Sequence, residues 1–168
     1  MRLEFHELVW LIANSDLEEL QTQLASGLDP NICDESNRPL LHWAAQEGNV
    51  ASLKCLLDRG AKIDAQDSLG FTPLSVAAGE DEDGLTGKTA FLLERGASPN
   101  IRIHSCENGT VLHLAASWGW FGIIKLLVQT EGIDLNLKDD EGHTPLSFAR
   151  EEGTREIIDY LIQRGARD

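Results

Sequence analysis

The chain has 168 residues, with 28 Asp+Glu against 14 Lys+Arg and a formal net charge of -14. That length suits one domain or one short array of repeats, and an apolar share of 42% supports a core and argues against global disorder. The acidity argues against nucleic acid and anionic membrane as partners, because both would repel it, and it permits a basic protein.

In chain order, Met1–Ala13 carries Arg2, Glu4 and Glu7 among its apolar residues, which breaks up a signal-peptide core. No stretch reaches 18 uncharged apolar residues, so no transmembrane helix is expected. Cys33, Cys55 and Cys106 are odd in number and far apart, as expected for free thiols in a reducing cytosol. They lack the close spacing of a metal site. A cytoplasmic protein is the expectation.

From Asp34 onward the chain repeats itself, with units starting at 34, 67, 105 and 139. Met1–Cys33 keeps the second half of the unit, DLEELQTQLASGLDPNI. Each unit opens with a polar Asp/Asn/Gly turn. A short helix follows, begun in two units by Thr72-Pro73-Leu74 and Thr144-Pro145-Leu146, where Thr can cap and Pro suits the first turn. Ala44-Ala45, Ala77-Ala78 and Ala115-Ala116 let this helix pack closely. Gly48, Gly119 and Gly153 are expected to end it. A second helix shows apolar residues at helical spacing, as in Val50, Leu53, Leu56 and Leu57. It ends at Gly27, Gly60, Gly96, Gly132 or Gly165. One unit cannot bury its apolar face alone, whereas stacked units can.

Four segments carry a family likeness: Pro39-Leu40-Leu41-His42, Thr72-Pro73-Leu74-Ser75, Thr110-Val111-Leu112-His113 and Thr144-Pro145-Leu146-Ser147. The chain closely resembles the ankyrin-repeat family over nearly its whole length. Two of the four segments have Ser in place of the usual His, and the first lacks Thr-Pro. The resemblance implies an all-α ankyrin-repeat solenoid, built of helix-turn-helix repeats with hairpin-like finger loops. It implies a single domain over 1–168, divided as 1–33, 34–66, 67–104, 105–138 and 139–168. The first unit is expected to lack its finger and act as an N-cap, and the last to act as a C-cap. Glu18, Glu19 and Asp159 suit polar outer cap faces. The array is read as the whole chain, capped at both ends, and a monomer on its own.

The third unit is longer than the others. Gly79 to Lys88 is acidic and glycine-rich and is expected to form an extended loop, either a tolerated insertion or a partner contact. Gly87-Lys88-Thr89 is not a phosphate loop, because position 82 is Glu where the motif needs Gly. Asn108-Gly109-Thr110 reads as a finger-tip turn rather than a glycosylation site.

The resemblance also implies where a partner docks: the finger tips and the ends of the first helices, which line a concave face. On this chain the candidate partner-binding residues are Glu35, Arg38, Glu47, Leu69, Phe71, Glu80, Asp81, Glu82, Asp83, Glu107, Trp118, Asp140, Glu141, His143, Glu151 and Glu152. Across all 23 mapped positions there are eleven acids and one base, Arg38. Such a face would steer a basic partner. Trp118 is either an anchor or a packing residue, Trp120 and Phe121 are expected to pack, and Trp43 is expected in the core. His42 and His113 belong to the repeat motif and are expected to be structural.

No nucleophile elbow, metal motif or dinucleotide turn is present, so neither an enzyme nor a cofactor is expected. The leading functional expectation is a protein-binding module that inhibits a basic partner, as an immunity protein does a bacterial toxin. The alternative is a scaffold or regulatory adaptor that binds cellular proteins or peptides.

Overall fold

A computed structural model describes residues 3–81, 84–85 and 87–168. Among them lie ten helices in five antiparallel pairs: α1 (Phe5–Ala13) with α2 (Leu17–Ala25), α3 (Leu40–Gln46) with α4 (Val50–Asp58), α5 (Pro73–Glu80) with α6 (Lys88–Glu94), α7 (Val111–Trp118) with α8 (Phe121–Val128), and α9 (Pro145–Glu151) with α10 (Arg155–Gln163). The first helices stack as α1–α3–α5–α7–α9 and the second as α2–α4–α6–α8. The fold is the all-α ankyrin solenoid that the repeats imply. One expectation is corrected: the N-terminal unit keeps both helices, because Glu4 and Glu7 form a capping box that starts α1.

The first helices pack closely because their facing residues are small. Ala44, Ala45, Ala77, Ala78, Ala115, Ala116 and Ala149 are fully buried. Leu8, Ile12, Leu20, Leu41, Leu53, Leu74, Leu92, Leu112 and Ile123 fill the spaces between pairs and join one core along the stack. Cutting such a leucine to alanine costs about 2–5 kcal/mol.

Thr72 and Thr144 cap their helices as expected: each accepts a bond from the backbone N–H of the serine three residues on, whose hydroxyl is bonded in return by the threonine N–H. The Ser-for-His replacement therefore keeps the cap. What it loses at Ser75 is a tie to the next unit, since His42 Nε2 donates to the Phe71 carbonyl at 2.9 Å and His113 Nε2 to that of His143 at 3.3 Å.

Gly48 does not end α3 through a left-handed turn. It is there because a Cβ would lie 2.8 Å from the Ala44 carbonyl oxygen and 3.0 Å from Ile12. Gly119 and Gly153 are left-handed as expected, and so are the glycines after the second helices.

Two polar ladders tie neighbouring units. In three fingers an aspartate, Asp34, Asp67 or Asp139, accepts from the backbone N–H groups two and four residues on at 2.8–3.0 Å and folds the tip. The tips then bond to one another: Ser68 N–H to the Ser36 carbonyl, Ser105 to Leu69, and Asp140 to Glu107. In the loops that follow the second helices, Asn31, Asp64, Asn100 and Asn136 each accept from a backbone N–H of the next unit.

The long third unit is also corrected. Gly79 and Glu80 continue α5 and Lys88 opens α6, so the expected loop is helical at both ends. Lys88 is 6% exposed and its Nζ donates at 3.0 Å to the Gln46 carbonyl, at the C-terminal end of α3 in the preceding unit. Burial pushes its pKa down, while Glu80, Asp81 and Glu47 pull it back up.

Candidate protein-binding surface

The first helices share one register. Their N-caps are Pro39, Thr72, Thr110 and Thr144. Residues four and eight positions after a cap fall on one helix face. Four after the cap stand Trp43, Val76, Leu114 and Phe148, all half-buried, forming an apolar floor. Eight after it stand Glu47, Glu80, Trp118 and Glu152, all exposed. The finger tips stand opposite. Between the fourth finger and α7 and α9 lies a depression of about 230 Å3, lined by Ser105, Cys106, Glu107, Leu114, Ser117 and Phe148.

The expected contact residues sort onto these rows. Glu35, Leu69, Glu107, Asp140 and Glu141 are exposed at finger tips. Glu47, Glu80, Trp118, Glu151 and Glu152 are exposed at helix ends. Phe71 and His143 are half-buried, and each gives its carbonyl to a histidine of the preceding unit. Asp81 is corrected: at 2% exposure it is buried beneath the surface. Glu82 and Asp83 lie outside the described residues.

Arg38 is turned inward. Its guanidinium lies 3.9 Å over the Trp43 ring, its Nε is 3.5 Å from Asp34, and the Trp43 indole N–H donates to the same carboxylate at 3.1 Å. Trp43 is thus a half-buried floor residue rather than core. The one base expected on this face is spent inside the protein. Trp118 is 69% exposed, whereas Trp120 packs: its ring lies parallel to Trp118, and a Cβ on Gly79 would be 3.6 Å from its tip. Phe121 packs edge-on against Tyr160.

The apolar floor was not anticipated. Its signal, a large apolar residue four after each cap, is present in the sequence, where Trp43 reads as core.

A family model described as ankyrin repeats, three copies, matches residues 8–103 and 84–168. The chain belongs to the ankyrin-repeat family. Among its relatives, a Caenorhabditis elegans homolog of transient receptor potential cation channel subfamily A member 1 is 34% identical over 77% of this chain. Alpha-latrotoxin-Lh1a of Latrodectus hasselti is 32% identical over 77%, and an L-asparaginase of Dirofilaria immitis 29% identical over 95%. The chain spans only 10%, 9% and 26% of those three proteins. Ankyrin arrays are protein-interaction modules.

His42 and His113 have the structural role expected. Both are buried, and burial pushes their pKa values down, so the neutral ring is favoured. His113 is fully bonded, with Nδ1 facing the Thr110 N–H at 3.0 Å. Pro39 replaces that threonine in the second unit, and His42 Nδ1 has no hydrogen-bond partner.

Among the described residues no cluster of His, Cys, Asp or Glu could hold a metal ion, and no helix is long and apolar enough to cross a membrane. The larger depression, about 500 Å3, lies away from the fingers, against α1 and α2, lined by Leu3, His6, Glu7, Trp10, Leu11 and Glu19. With Trp10 60% exposed, the expected polar face of the N-terminal unit is partly apolar.

Proposed function

We propose that this ankyrin array binds a basic protein across the face between its fingers and first helices, with no chemistry of its own, and masks it. A toxin held inactive by an immunity protein is the type of pair that fits. The observation that carries the reading is the exposed acid frame, Glu35, Glu47, Glu80, Glu107, Asp140, Glu141, Glu151 and Glu152, around an apolar floor. With Arg38 turned inward, no mapped base offsets that frame. Such a field raises association rates and suits a monomer meeting one oppositely charged partner.

The test is affinity capture from the source cell's lysate at low and high salt. One dominant basic protein, held stoichiometrically, supports the masking role. Its association with the quadruple variant Asp140→Lys, Glu141→Lys, Glu151→Lys, Glu152→Lys is expected to slow by about tenfold or more at low salt. An unchanged on-rate removes the electrostatic reading.

A second reading is a scaffold or adaptor. The small fraction of each relative that the chain spans favours it, because in those proteins the matched array is a minor part of a larger molecule. Several weak partners in the same capture, or none, would favour the adaptor.

A further inference from the structure

The row of helix ends runs Glu47, Glu80, Trp118, Glu152, one residue per unit, eight after each cap. Because α5, α7 and α9 pack side by side in that order, Glu80 and Glu152 stand at the ends of the two helices that neighbour the one ending in Trp118. Helices packed in this way lie about 8–10 Å apart, within reach of two side chains that converge on one ligand. Trp120 braces Trp118 from one side, wedged against Gly79 next to Glu80, with its ring 14° from parallel and the centroids 6.5 Å apart. Trp118 still leaves 69% of its surface to solvent.

An open indole with a carboxylate at the end of each neighbouring helix matches one side chain best. A guanidinium is flat, stacks on an aromatic face and carries N–H groups in a fork that fits carboxylates. An ammonium is compact and strongly hydrated and gains less from the ring. The molecule already contains this arrangement closed on itself, in Arg38 stacked 3.9 Å over Trp43 with Asp34 beside it. At Trp118 the ring is open, and the neighbouring helices end in Glu80 and Glu152. Arg150 of α9 is engaged with Asp168 at 3.2 Å.

We propose that Trp118, flanked by Glu80 and Glu152, is an arginine-recognition site: the basic partner inserts an arginine that stacks on the indole and bonds the flanking carboxylates. This rests on the face being the surface for a basic protein, and it specifies the residue that protein presents.

Two peptides of equal charge, nona-arginine and nona-lysine, test it by titration calorimetry and tryptophan fluorescence on the full chain. Nona-arginine is expected to bind about fivefold more tightly and to change the indole emission. Trp118→Ala is expected to bring the two affinities together with the circular dichroism spectrum unchanged. Trp10→Ala, at the other end of the array, is expected to keep the preference. Glu80→Gln with Glu152→Gln is expected to weaken nona-arginine severalfold while Trp118 remains. Equal binding of the two peptides, or a preference that survives Trp118→Ala, overturns the arginine site and leaves the basic-partner reading standing. Binding of neither peptide overturns both.

Discussion

The second and fourth units have the same backbone plan and use it in opposite ways. In the second, Trp43 lies under Arg38, both are tied to Asp34, and the finger closes over its own floor. In the fourth, no aspartate folds the finger, Glu107 and Asn108 take left-handed conformations at its tip, and a depression stays open above Leu114 and Phe148. Below the surface the order reverses. His113 has both ring nitrogens bonded, whereas His42 leaves Nδ1 without a partner. The unit that is complete inside is thus the one left open outside. Repeats that share a core can differ freely at their edges, because each contacts only its neighbours.

The two tryptophans separate the units most sharply. Trp43→Ala removes packing and leaves Arg38 and Asp34 without their ring, so it is expected to destabilise the fold by about 3 kcal/mol. Trp118→Ala is expected to leave the melting temperature near that of the parent while weakening partner binding by about 2 kcal/mol. Equal effects on the two melting temperatures would erase the contrast.

Acid probes the histidines. Burial holds both folded-state pKa values below the ordinary imidazole value of 6.5, so the unfolded chain binds more protons as the pH drops. The stability contributed by the neutral rings is full above about pH 6.5 and is lost as pH falls from there toward the folded-state values. Denaturant melts from pH 7.5 to 5 are expected to show this loss, and His42→Ser with His113→Ser to flatten it. A parent protein equally stable across the range would contradict buried neutral histidines.

The smallest effect is a repair. Pro39→Thr supplies the second unit with the cap that the fourth has, and a donor for His42 Nδ1. A gain of less than about 1 kcal/mol is expected, because the freed backbone offsets part of the new bonds. A loss of stability would mean that the proline ring's rigidity outweighs the orphaned nitrogen.

The array was legible in the sequence because a repeat states its grammar several times. Caps at Thr72 and Thr144, alanine pairs, and glycines after the second helices were all readable from spacing. The missed helix was α1, whose unit shows no finger and no Thr-Pro start, only the Glu4–Glu7 box. The acidic positions were also legible, since charge is a property of composition, but exposure is not. Asp81 and Asp140 look alike in sequence, yet the first is buried at the end of α5 and a finger tip exposes the second.

The sequence by itself therefore determined the solenoid, its period and the sign of its surface, because these follow from periodicity and residue chemistry summed over many positions. Only the tertiary structure decided which tryptophan is covered, which arginine is spent internally and which aspartate is buried. Those outcomes depend on how one unit's side chains meet the next, and distance across the stack is not written along the chain.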